Sequence, residues 1–268
     1  AGQNLTGTTF HYATLTNANL SQANLTNASF DEAILTGANL SGADVRRASF
    51  VYAEVTADQI YSTASYQAHD LTGIRLSGNF SGANFASQNL TEFLFRGSLG
   101  SADFSQANLT RADIIYSDLT NAKFIQADLT DAYLGAATLT GANFTGARVR
   151  GAKFSGTNIT PAQLYSTASY QAHDLTGIVL VNTNLAGANL VGQNLTNADL
   201  FVTKLNNANL SQANLTDANL SGATLTGANL SGAVVRGANL SRYYDGSNWY
   251  GGIALAQFYA TASYQTHD

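Results

Sequence analysis

Cysteine and methionine are absent from this 268-residue chain, proline and tryptophan occur once each, and charged residues make up only 11%. Without cysteine there is no disulfide framework and no thiolate metal site, and the redox compartment stays open. The opening AGQNLTGTTF lacks a basic stretch followed by an apolar one, and no apolar run approaches the roughly 20 residues that cross a bilayer. The segment therefore neither spans a membrane nor targets itself. It starts without methionine and stops at Asp268, directly after a recurring motif, so it reads as a piece of something longer. The sparse charge, net -5, forms no basic stripe, and no nucleophile stands beside a base. What crowds the remainder is Ala, Asn, Leu, Ser, Thr and Gly, the composition of one small unit copied many times.

The unit is five residues long. Along the first sixty residues an apolar side chain falls at every fifth position: Leu5, Phe10, Leu15, Leu20, Leu25, Phe30 and so on to Ile60. A helix would scatter these centres around its surface, and a strand would send them alternately to opposite faces. A chain that turns a corner every five residues buries them together. Ala stands two residues before most centres, small enough to share a narrow interior, and Asn or Asp directly precedes them. Ser or Thr and then Gly, Asn or Gln follow, which are turn formers with a local hydrogen-bonding mechanism. Stacked coils about 4.8 Å apart would satisfy the backbone between neighbours as a parallel ladder does.

The consensus A-(N/D)-L-x-x, seen in ANLSQANLTNASF and ADLTDAYL, resembles the pentapeptide-repeat family. That resemblance implies an all-β fold, a right-handed, four-sided parallel β-helix with four pentapeptides per coil, as a single solenoid over residues 1–268. The frame slips by one residue between Leu76 and Phe80 and between Phe95 and Leu99, which reads as locally shortened corners. A longer period divides the chain into super-repeats 1–70, 71–174 and 175–268, since SQANLT and VR(R/G)A recur.

Each super-repeat ends in one ten-residue motif, YSTASYQAHD at 61–70 and 165–174 and YATASYQTHD at 259–268. Centres flanking the first two copies are eleven residues apart, six more than one pentapeptide, so the motif is an excursion. Upstream, TADQ and TPAQ place Thr three residues before Gln, with Pro161 at a first helical position, which predicts short helices starting near Ala57 and Pro161. The helical excursions are expected near 57–69, 161–173 and 255–267. The third start is less secure, because Ala254 stands where Thr should be. Leu71 to Leu164 holds twenty centres, five turns, and Leu175 to Phe258 holds four turns if Ile253 is a centre and SRYYDGSNWY bulges out. All three excursions then leave from one side, separated by about 20 to 25 Å.

Tyr61, Tyr66 and His69, with Tyr165, Tyr170 and His173 and with Tyr259, Tyr264 and His267, would line up as a partner-contact surface. They cannot share a metal, since zinc needs ligands within about 2.3 Å and the copies are far apart. Within one copy, His69 and Asp70 read as the corner where the chain re-enters the coil. Arg46, Arg150 and Arg236 read as an outward solvated column, and His11 as surface. The N-L-(S/T) triplets are already demanded by the corner and say nothing of sugar. No catalytic, metal or cofactor site is expected; the chain is not an enzyme. DNA-mimic members of the family act on gyrase, but a rod of about 55 Å would need on the order of 30 negative charges to copy a duplex, against 17 acidic and 12 basic residues. The recurrent LYSTASYQAHDLTGI segments resemble parts of large exported bacterial proteins. The expected role is a non-enzymatic structural or adhesion spacer, extracellular or at the cell surface, with a protein or surface polymer as partner, no nucleic acid and no membrane insertion. Recognition of a repetitive surface such as a polysaccharide or ice ranks below it, and open ends would stack end to end.

Overall fold

The computed structural model describes residues 1–266 and forms a four-sided parallel coil. Residues twenty apart bridge in parallel, as in Asn4 to Asn24 to Asp44 and Asp199 to Asn219, so four pentapeptides complete one turn. Every centre from Leu20 to Leu230 is buried, with the intervening Ala beside it. Aromatic centres stack directly: Phe10, Phe30 and Phe50 lie 4.9 and 5.1 Å apart, and Phe85, Phe104, Phe124 and Phe144 lie 5.4, 5.2 and 5.0 Å apart. Those separations are close to the strand spacing of about 4.8 Å, which sets the rise per coil.

Each corner position has its own reason. The Asn before a centre turns its Oδ1 onto the N–H two residues ahead, as Asn19 does to Ser21 at 3.1 Å, the side-chain mimic of a tight turn. The second residue after a centre takes a left-handed φ, for example 58° at Asn17 and 56° at Gln22, which explains the choice of Asn, Gln or Gly there. Where Thr replaces the inward Ala, its hydroxyl finds a carbonyl: Thr157 donates to Phe154 at 2.8 Å and Thr183 to Leu180 at 2.6 Å.

The two slips are not shortened corners. The chain there straightens into two five-residue parallel strands, β1 (Arg75–Asn79) and β2 (Leu94–Ser98), paired nineteen residues apart. Gly97, at φ 134°, permits the approach: a Cβ there would stand 2.2 Å from the Gly78 carbonyl. Near the far end, residues 241–250 leave the coil as an antiparallel hairpin of Tyr243–Tyr244 with Trp249–Tyr250, and Gly252, just before Ile253, rejoins the ladder opposite Thr224.

The excursions depart from one corner. Ala64, Ala168 and Ala262 donate to Ala43, Ala147 and Ala233 at 2.9, 2.8 and 2.9 Å, the same rung each time. Each comprises two helical turns, Ala57–Tyr61 with Ala64–Gln67, Pro161–Tyr165 with Ala168–Gln171, and Leu255–Tyr259 with Ala262–Gln265. The first turn adds no residues, since Val55 to Ile60 and Ile159 to Leu164 keep the spacing of five. The count of five continues even past Ile60 and Leu164. Buried Ser65 and Ser169 take the next central places, and each hydroxyl receives the N–H of Val45 or Val149 at 2.9 Å. The surplus residues therefore follow Ser65 and Ser169, later than the sequence spacing suggests.

Candidate functional site

A helical turn set into a β-ladder creates a local deficit. In a regular coil the central N–H donates to the coil above, as Leu20 does to Asn39 at 2.9 Å, and the carbonyl two residues before the centre receives a N–H from above, as Ala18 does from Asn39. In the excursions these groups turn inward along the helix. Leu164 N–H goes to Thr160 at 3.1 Å, and Ala162 carbonyl takes Ser166 N–H at 3.2 Å, so the corner above at Asn189 loses both partners. Leaving a backbone donor and acceptor unpaired would cost about 1 to 3 kcal/mol each.

The motif tyrosines fill that deficit. Tyr165 hydroxyl accepts the Asn189 N–H at 2.5 Å, and Tyr170 hydroxyl donates to the Asn189 carbonyl at 2.8 Å. Tyr61 and Tyr66 hold Asn84 in the same way, at 2.6 and 2.9 Å. Ring pairs 4.7 Å apart brace the two hydroxyls against one residue. Below the helix, the capping-box glutamine performs the equivalent task. Gln163 Nε2 donates to Leu139 and Ala142 carbonyls at 2.8 and 2.9 Å, as Gln59 does to Leu35 and Ala38. Its own N–H is taken by Thr160 Oγ1 at 3.2 Å. In the third copy Gln257 reaches Leu225 and Ala228 at 2.7 and 2.8 Å, but Ala254 supplies no side-chain cap.

His69 and His173 take left-handed backbone, φ 56° each, at the re-entry corner. Their Nδ1 atoms lie 3.4 and 3.3 Å from the Nε2 of Gln88 and Gln193. These two glutamines are buried, donate also to Tyr66 and Tyr170 carbonyls at 3.0 and 3.1 Å, and leave their Oε1 atoms unpaired. His267 lies outside the described residues. The tyrosines of the first two copies thus face the next coil of the same rod, with hydroxyls committed to its backbone. The sequence reading singled out Tyr and His but passed over the glutamines, the inward serines and the clasped asparagines. One signal was available: Gln occupies the place two before a centre only at Gln3, Gln88 and Gln193, and the last two lie one coil after an excursion.

Arg46, Arg150 and Arg236 lie at the surface, the first two with carboxylates close by. Arg46 meets Asp44 at 2.5 Å and Asp70 at 3.7 Å, and Arg150 meets Asp174 at 3.9 Å. The Arg46 guanidinium holds the Asp44 carboxyl down at about 2. His11 is a surface residue stacked on Tyr12, 3.5 Å from Glu32. Among the described residues no group of His, Asp and Glu could hold a metal ion, and no helix is long and apolar enough to cross a membrane.

Eight copies of the pattern described as pentapeptide repeats match the chain, over residues 1–22, 13–51, 98–126, 117–156, 174–200 and 203–242. The chain belongs to the pentapeptide-repeat family, whose members fold as right-handed quadrilateral β-helices. Among solved structures it is similar to HetL, a pentapeptide repeat protein involved in heterocyst differentiation regulation in the cyanobacterium Nostoc, at 25% identity over 91% of this chain and 93% of that one, TM-score 0.23. Rfr23 from the cyanobacterium Cyanothece is 25% identical over 51% of this chain and 86% of that one, TM-score 0.27. The plasmid-mediated fluoroquinolone resistance protein QnrB1 is 16% identical over 89% and 91%, TM-score 0.21. No curated protein matches the chain.

Proposed function

We propose that this chain is a non-enzymatic rod, serving as a spacer or adhesion element of a larger protein outside the cell or at its surface. The observation that carries this reading is the use made of the recurrent motif. Its Tyr and Ser side chains, with the glutamine just upstream, bond backbone groups of the coils above and below, the role of joints that hold a column together. Members of the family are generally without enzymatic activity. Antibody labelling of intact cells that make the parent protein tests the placement: labelling before lysis supports it, and labelling only after lysis overturns it.

The gyrase-directed DNA mimic is the other family role to weigh. A mimic needs a continuous negative face. Here Asp103, Asp113 and Asp128 each sit within 3.5 Å of a Lys or Arg nitrogen, which cancels charge along the column. A supercoiling assay with the purified chain at micromolar concentration separates the two readings. No inhibition or protection is expected, and clear activity would favour the mimic.

A further inference from the structure

Tyrosine is a poor occupant of a corner. The left-handed place two residues after a centre suits Asn or Gly, because a bulky side chain there crowds its own backbone. Tyr12, Tyr52 and Tyr116 nevertheless take it, at φ 58°, 56° and 56°, and among the described residues no other tyrosine does. The core gains little from them. They are 67%, 72% and 74% exposed, the most exposed aromatic side chains among the described residues.

All three stand on one edge of the rod. The ladder runs from Tyr12 through Glu32 to Tyr52, then past Gly78 and Gly97 of the two strands to Tyr116. Further along the same edge it reaches Val202 and Gly222, and the aromatic hairpin leaves the rod there, between Ser241 and Gly252. The hairpin lies back along the edge. Tyr243 reaches Phe201, two coils nearer residue 1, so the opposite face of the hairpin, Tyr244 paired with Trp249, looks out from the side of the rod. Those two rings lie 5.0 Å apart, and Trp249 is 59% exposed.

Spacing and charge decide what fits this edge. Tyr52 and Tyr116 are three coils apart, about 14 Å at a rise of about 4.8 Å, with only glycine between them, so each ring stands alone. A protein interface or a membrane surface needs a contiguous apolar patch, which isolated rings do not make. Single-stranded nucleic acid stacks on aromatic rings but also needs a basic groove for its phosphates. Here the cations are occupied, Arg96 by Asp113 at 2.8 Å and Arg242 over the Trp249 ring at 5.3 Å. Sugar rings need no such charge. Their apolar C–H faces stack on Tyr and Trp, and their hydroxyls meet polar groups such as those of Asn79, Ser98, Asp118 and Thr138 in the next column over. One coil rise is also close to the length of one pyranose unit, so a ribbon-like chain keeps step with the coils.

We propose that this edge binds an uncharged, ribbon-like polysaccharide lying along the rod, with Tyr12, Tyr52, Tyr116 and the Tyr244–Trp249 pair as its stacking platforms. Where the rod meets such a polymer rests on the adhesion reading above.

The test uses the preference of the corner itself. Tyr52→Asn/Tyr116→Asn removes two platforms and supplies the residue that left-handed backbone favours, so it should melt no lower than the unaltered chain. Tyr133→Asn is the control, an exposed tyrosine on another column with the Lys153 ammonium 3.6 Å from its ring centre. In pull-downs with insoluble cellulose and chitin, the unaltered chain should be retained on at least one, and retention should not fall as salt is raised. The double variant should bind on the order of tenfold more weakly, from the loss of two stacked rings. Trp249→Ala should weaken binding too, and the control should bind as the unaltered chain does. Binding to neither polymer overturns the assignment, as does a control that loses as much as the double variant. So does salt-dependent binding of single-stranded oligothymidine, or self-association in sedimentation that the double variant abolishes, since the edge would then serve a nucleic acid or a second copy. None of these outcomes bears on placement outside the cell, which antibody labelling tests by itself.

Discussion

At the scale of single residues, position within the five decides what a side chain contributes. Leu129 is fully buried, while the neighbouring Asp128 is partly exposed and accepts from Thr130 at 3.0 and 2.6 Å. Leu129→Ala should cost about 2 to 5 kcal/mol of stability, as large-to-small core changes do. Asp128→Ala should cost about 1 kcal/mol, the loss of a turn bond. Denaturant titrations of both variants check the ranking, and equal losses would contradict the inward pattern. Asp44 gives a prediction about pH. The Arg46 guanidinium lowers its carboxyl to about 2, so the interaction stabilises the fold above the ordinary carboxylate value and is lost as pH falls toward about 2. Asp44→Asn should therefore lower the melting temperature near neutrality, and the gap from the unaltered chain should narrow in acid. The effect is small because Arg46 is half exposed. A gap that widens in acid would reverse the sign of the coupling.

The excursion shows at the scale of elements what the sequence reveals and what it hides. Capping signals are local, so Thr160, Pro161 and Gln163 could be read directly as a helix start, as could the missing cap at Ala254. The clasp joins Tyr165 and Tyr170 to a residue one coil away, and nothing local marks Asn189 as their partner. The slips misled for a related reason. A missing residue looks like a shortened corner until Gly78 and Gly97 are seen back to back in adjacent strands. Because Ser169 already occupies a central place, removing Ser169 to Asp174 sets Leu175 in that place, with Thr167 inward and Ala168 at the turn. This chain should fold with a lower melting temperature, having lost Tyr170 and one bond to Asn189. Removing Tyr165 to Tyr170 excises the same length but sets His173 at the inward Ala position, and it should be the more damaging deletion. Thermal melts of the two variants decide, and the reverse order would place the surplus residues earlier in the motif.

At the scale of the whole molecule, a column of coils has no single core, and each coil draws its stability from the coils on either side. Continuous Phe stacking from Phe85 to Phe144, intact clasps at Asn84 and Asn189, and satisfied ladders on four faces concentrate mutual support in the middle of the rod. In the coil nearest residue 1, Leu5, Phe10 and Leu15 are only partly buried. The hairpin at the far end exposes Tyr244 and Trp249 and lays Tyr243 against Phe201 edge-on, 4.8 Å between ring centres. Opening should therefore begin at the ends and move inward, because each terminal coil that frays exposes the next. Hydrogen exchange followed by mass spectrometry should find the slowest amides between about residues 85 and 195, with faster exchange before residue 20 and through 241–250. The clasps make this sharper than a uniform column would. Tyr165→Phe/Tyr170→Phe unpairs the Asn189 corner and should raise exchange in the adjoining coils while leaving residues 90–130 slow. Uniform protection along the chain, or a variant that melts as one unit with no local change, would show that the rod opens all at once and that the clasps are not its weak joints.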